Sequence, residues 1–304
     1  MKRTIFIAFG LLMIMAGCTK NNITQLGDTV KGTQIKLIHA APGVPALDGF
    51  VNSQKVSAST IYPVTDNGIV TSITTGFAYL SVFPGSNYLN VPSGTTSVQF
   101  VASTPTPRLI SPQTIPNSVV IGNISQATAD GSAYSVFAMG LPGSATTGLT
   151  AKIVEDKFPE PVANKAYIRF AHMIPNGAAL DLSVTYTLTG GTATTKTVAT
   201  ATTYSNVTDF IPVDVNSSST TNFVFQMYLA GATTKFGTVT AAIPVAPGRY
   251  YTLVGRGLAS DYAVPSTTIT LKATARPTLP VTDPATKLPE IYFNPAGLTY
   301  YTNK

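Results

Sequence analysis

The chain carries two histidines, and each stands nine residues ahead of an aspartate: His39 before Asp48, and His172 before Asp181. An imidazole oriented by a carboxylate can act as a general base. Serine and threonine are so common here that a nucleophile is always to hand and its presence selects nothing. The competing role is structural. The histidine ends a strand, the aspartate begins the next, and together they pin the proline-containing loop between them, the carboxylate accepting backbone N–H groups of the turn. Parity favours that role, because His39 shares a strand face with Ile35, and His172 with Ile168. Both copies keep the pair, whereas an active site is often kept in only one. No residue is therefore taken as catalytic; His39, Asp48, His172 and Asp181 are expected to form structural pairs, and the chain is read as a non-enzyme, with a hydrolase as the least favoured alternative.

The remaining chemistry is sparse. Cys18 is the only cysteine, so no disulfide forms within the chain, and too few His and Cys are present for a zinc cage or an iron–sulfur site. Gly255-Arg256-Gly257 lacks a third glycine and a following helix signal, so it is no dinucleotide fingerprint. Asp209 with Asp214, and Glu155, Asp156 and Glu160, offer oxygen ligands that calcium would accept; the reading adopted is solvated loop charge. Tyr134 and Tyr251 are expected in the core or as corner tyrosines rather than on a ligand surface. No cofactor and no metal are expected.

Residues 1–18, MKRTIFIAFGLLMIMAGC, have a positive start at Lys2 and Arg3, an apolar run from Ile5 to Met15, and small residues before the cysteine. The run is shorter than the roughly 20 apolar residues a spanning helix needs. Met15-Ala16-Gly17-Cys18 resembles the lipobox of bacterial lipoproteins, with Met where Leu is commoner. That resemblance implies diacylglycerol on the Cys18 sulfur, cleavage before it, and attachment to a membrane through acyl chains. Thr19, rather than Asp, follows the cysteine, which in such lipoproteins points to the outer membrane. Residues 19–32 are polar and aperiodic, a tether. Loss of Lys2 and Arg3 lowers the formal charge from +6 to about +4. The other basic residues form no run of four, so no nucleic-acid partner is expected. With 44% hydrophobic and 11% charged residues, the chain is not disordered.

What positions the histidines is an internal repeat. Ile35–Val51 aligns without a gap with Ile168–Val184, 133 residues on, sharing Ile, His, Pro, Ala, Leu, Asp and Val, with Lys36 opposite Arg169 in charge. Ala129–Leu141 aligns with Ala246–Leu258 at a spacing of 117, sharing Gly131/Gly248, Tyr134/Tyr251 and Gly140/Gly257. A period above 100 residues is a duplicated domain, not a solenoid. Domain one is placed at 33–158, domain two at 163–276, with a short acidic, proline-containing linker between. Residues 277–304, rich in Pro and Tyr, are expected as a tail that either covers domain two or docks elsewhere. Strand-like runs bounded by Gly, Pro, Asn and Ser recur, and alternation in Ile168–His172 puts Arg169 on the face opposite Ile168 and Phe170, the pattern of a half-buried strand. The fold class is all-β: two tandem immunoglobulin-like sandwiches after the signal peptide.

The repeated I-x-x-x-H-x-x-P-x-x-x-A-L-D block, followed by G-x-x-Y-(S/T)-(V/L), resembles the DUF4397 domain of bacterial envelope proteins. The resemblance implies an extracytoplasmic β-sandwich and supplies no activity. The expected role is a lipid-anchored structural, adhesive or binding module, with a protein or glycan partner left open. A carbohydrate-binding accessory lipoprotein and a fimbrial-type subunit are the alternatives; the absence of Trp counts against the former, while 14 Tyr keep it open.

Overall fold

Val, Ile, Thr, Tyr and Phe favour the pleated, half-buried surface of a sheet, and the regular elements they build among the described residues are strands. The computed structural model describes residues 32–66, 69–103, 114–274, 290–292 and 295–304. Cys18, the rest of the 1–18 leader and residues 19–31 lie outside these. No helix occurs among the described residues, so none is long and apolar enough to cross a membrane.

Two halves repeat one design. In each, an inner sheet faces an outer sheet. The first inner sheet runs Thr150–Glu155, Ala133–Met139, Thr33–His39, Val82–Phe83, with Leu89–Val91 also on Thr33–His39. The second runs Gly297–Thr302, Tyr250–Arg256, Lys165–His172, Ile211–Asp214. The first outer sheet is Gln54–Lys55, Leu47–Val51, Gly94–Ala102, Val120–Thr128. Its counterpart is Ala193–Thr202, Leu180–Thr187, Thr221–Leu229, Lys235–Phe236, with Ile243–Val245 also on Thr221–Leu229. The two repeat blocks meet as parallel neighbours in one register, Ile35 opposite Tyr134 and Ile168 opposite Tyr251. Gly131 and Gly248 supply the turns before the strand of the second block, with φ of 75° and 74°, a left-handed conformation that costs a side chain about 1–2 kcal/mol.

Alternation fills each sandwich. Ile35, Leu37, Leu47, Val98, Phe100 and Val136 form the first core; Ile168, Phe170, Leu182, Phe223, Phe225 and Leu253 form the second. The tyrosines that follow the glycines act as corners, as their positions suggest: the Tyr134 hydroxyl accepts the Ala129 N–H at 3.2 Å and that of Tyr251 the Ala246 N–H at 3.1 Å.

One expectation is decided and another needs correction. Of the two alternatives for residues 277–304, the end of the segment follows the first and joins domain two beyond its expected limit of 276: Gly297–Thr302 forms an antiparallel strand on Tyr250–Arg256 and Leu298 enters the second core. All the prolines of this segment precede the strand, so its N–H groups are free to pair. Arg169 is not on a solvent-facing side: it is 2% exposed. The face opposite each core is buried as well, since Ile38, Phe137 and Met139 of the first inner sheet pack with Ala171, Val254 and Tyr301 of the second. Inner sheet lies on inner sheet, and Gly32–Lys304 is one compact unit.

Candidate functional site

Each histidine is fully buried at the end of the first strand of its repeat. The His39 Nε2–H donates to the Pro45 carbonyl at 2.8 Å, and Nδ1 accepts the Ala41 N–H at 3.4 Å. The His172 Nε2–H donates to the Ala178 carbonyl at 2.8 Å, and Nδ1 accepts the Ile174 N–H at 3.3 Å. These partners correspond at the repeat spacing of 133. Each imidazole thus ties down the loop after its strand, with both nitrogens in use in the neutral form. Burial pushes the His39 pKa down to about 4 against the pull of its carbonyl partners, and lowers that of His172 for the same reason. A tyrosine edge lies against each ring, Tyr79 at 5.6 Å and Tyr204 at 6.4 Å.

The aspartates are not partners of the histidines. Asp48 pairs with Lys55 of the adjacent strand at 2.9 Å. Asp181 accepts the Ala201 and Gly231 N–H groups at 2.6 and 2.9 Å. Leu47 and Leu180 point into the cores, so the next residue must point out of them. The His–Asp constellation therefore does not form, and the backbone groups Asp181 satisfies, one in the strand Ala193–Thr202 and one in the turn at Gly231, lie outside the loop it was expected to pin.

The polar cluster that does form lies between the inner sheets. Register defines its members. Ile35 opposes Leu89 as Ile168 opposes Ile211, and Tyr134 opposes Glu155 as Tyr251 opposes Thr302. Lys36 thus corresponds to Arg169, Ser135 to Thr252, Tyr88 to Phe210 and Asp156 to Asn303. The Lys36 ammonium lies 4.7 Å from the Tyr88 ring and the Arg169 guanidinium 4.5 Å from that of Phe210, so each cation rests on an aromatic face.

Asp156, expected as solvated loop charge, is 3% exposed and lies 2.5 Å from an Arg169 terminal nitrogen. Its Oδ2 accepts from Tyr88 Oη at 2.5 Å, Ser135 Oγ at 2.9 Å and Asn303 Nδ2 at 3.3 Å. Arg169 also donates to Thr252 Oγ1 at 2.8 Å and Ser135 Oγ at 3.1 Å. Burial alone would lower the Arg169 pKa; Asp156, with Tyr301 and Tyr88 adding to it, offsets this and the net direction is up. Lys36 donates to the Thr302 carbonyl at 3.1 Å, and burial, only partly offset by Asp156, brings its pKa down to about 8. Burial, then the Asp156 charge, raises the Tyr88 pKa. A cavity of about 700 Å³ opens beside this cluster, bordered by Tyr88, Asp156, Phe158 and Asn303.

Of the other oxygen-ligand candidates, Asp214 is paired with Lys165. No group of three or more His, Cys, Asp or Glu among the described residues is arranged to hold a metal. The charge match of Lys36 and Arg169 within apolar strands was the one sequence signal of the polar cluster; Tyr88, Asp156 and Asn303 carried none.

No curated protein matches the chain. Nine solved chains match. One is the crystal structure of a candidate cell adhesion protein from Bacteroides eggerthii DSM 20697, with 8% identity over 76% of this chain and 88% of that one and a TM-score of 0.18. The family model described as "Domain of unknown function (DUF4397)", which the repeated His and Asp blocks resemble, matches residues 33–183, the whole first half and the opening strands of the second.

Proposed function

We propose that the chain is a lipid-anchored cell-envelope protein whose two immunoglobulin-like sandwiches, 33–158 and 163 onward, serve a non-catalytic structural, adhesive or binding role. The observation that carries this reading is the use of both imidazoles as buried loop clamps, each with two backbone partners and neither with an aspartate. The side chains suited to acid–base chemistry are instead holding loops in place. Cys18 supplies the anchor, through acyl chains on its sulfur, and the outer membrane is the proposed location.

The test has two readouts on cells expressing the full chain. Labelled palmitate should enter the wild-type chain and not Cys18→Ala. Wild-type cells should also retain protein- or glycan-coated beads that Cys18→Ala cells do not. Unlabelled wild-type protein would remove the anchor, and equal bead retention by both strains would remove the adhesive role.

A further inference from the structure

The internal correspondence across the inner sheets leaves one charge unmatched. Arg169 faces Asp156, but at the position corresponding to Asp156 the second half carries Asn303, a carboxamide. Two cations, Lys36 and Arg169, thus share one carboxylate in a buried cluster, where an uncompensated charge is costly. Lys36 is 0% exposed, and its amine is held on the Thr302 carbonyl, the residue before Asn303. The Asn303 side chain is bonded to Tyr88, the ring on which that same amine rests.

We propose that Lys36 and Asn303 join in an intramolecular isopeptide bond that ties the first strand of one half to the last strand of the other. The amine and the carboxamide meet at Tyr88, and the groups around the carboxamide suit attack on it. A desolvated lysine in its free-amine form is a competent nucleophile. The Thr252 hydroxyl donates to Asn303 Oδ1 at 2.6 Å and itself accepts from Arg169 Nε at 2.8 Å, so a polarised donor is aimed at the oxygen that becomes anionic on attack. Asp156 Oδ2 lies 3.3 Å from Asn303 Nδ2, the nitrogen that must leave.

The steps balance without any co-reactant. Lys36 Nζ, as the free amine, adds to Asn303 Cγ. Once bonded to Cγ, the attacking nitrogen lies beside Nδ2, which is 3.3 Å from Asp156 Oδ2; the carboxylate takes a proton from that nitrogen and passes it to Nδ2. The Cγ–Nδ2 bond breaks, ammonia departs through the adjoining cavity, and the Nζ–Cγ amide remains. The product carries no charge at Lys36, which leaves Arg169 and Asp156 as a matched pair. Fixing the two groups by the fold supplies the proximity that makes an otherwise slow amide exchange feasible.

Peptide mapping of the purified full chain tests this. Trypsin does not cut at an acylated lysine. The bond therefore predicts one linked species joining Gly32–Lys55 to Leu288–Lys304, with a mass equal to the sum of the two peptides less one ammonia. Lys36→Arg, which keeps the charge, and Asn303→Ala should each yield the second peptide unlinked. Recovery of free Gly32–Lys36 and free Leu288–Lys304 from the wild-type chain would overturn the proposal. So would a link from Lys36 to the Ile153–Lys157 peptide, which contains Asp156.

Discussion

At the scale of single residues, the histidines make the most measurable statement. Folding holds His39 neutral down to a pKa of about 4, while in the unfolded chain it titrates near 6.5. Between these values the unfolded chain binds more protons, so stability falls as pH drops through the window and levels off below it. At about 1.4 kcal/mol per pH unit, His39 alone accounts for on the order of 3 kcal/mol, and His172 acts in the same direction. Urea denaturation at pH 7 and at pH 4.5 should show this loss, and a His39→Gln, His172→Gln chain should show a much flatter profile. A wild-type midpoint that does not move would contradict the clamp. The inward direction of both rings was legible from strand parity. Their carbonyl partners six residues on were not, because the path of a loop is not periodic. Asp156 misled for a related reason: an acid near two prolines reads as linker, and only the second inner sheet buries it.

Among the elements, the strand Gly297–Thr302 matters most to the second half. It covers the edge of Tyr250–Arg256, sends Leu298 into the core and places the Tyr301 hydroxyl 3.0 Å from Ser135 Oγ. Large core side chains contribute about 2–5 kcal/mol each when truncated. A chain ending at residue 294 should therefore lose cooperative unfolding followed by near-ultraviolet circular dichroism, whereas an unchanged melting curve would show that the strand is dispensable. The alternating runs in both repeats announced most of the sheet. This strand was hidden behind the prolines that precede it, which mark where pairing cannot begin rather than where it ends. The all-β class needed only local pattern. Pairing the first repeat block beside the second in parallel needed contacts about a hundred residues apart, such as Ile35 with Tyr134.

On the scale of the whole molecule, the halves correspond in more than their strand order. The inner sheets present corresponding faces, and here those faces meet. The meeting turns Lys36 and Arg169 from surface cations into buried ones and recruits Asp156 and Asn303, 147 residues apart in the chain, into one cluster. The repeat itself was plain in the sequence, down to the Lys36 and Arg169 match. That the copies bury these faces against each other could not be read there, because a strand with a polar outer face looks the same whether water or another sheet covers it. The central claim is that this shared polar and apolar seam makes Gly32–Lys304 a single folding unit. Differential scanning calorimetry of the full chain tests it most directly. One transition, with calorimetric and van't Hoff enthalpies equal, is the result the seam requires; two resolved transitions, one for each half, would contradict it.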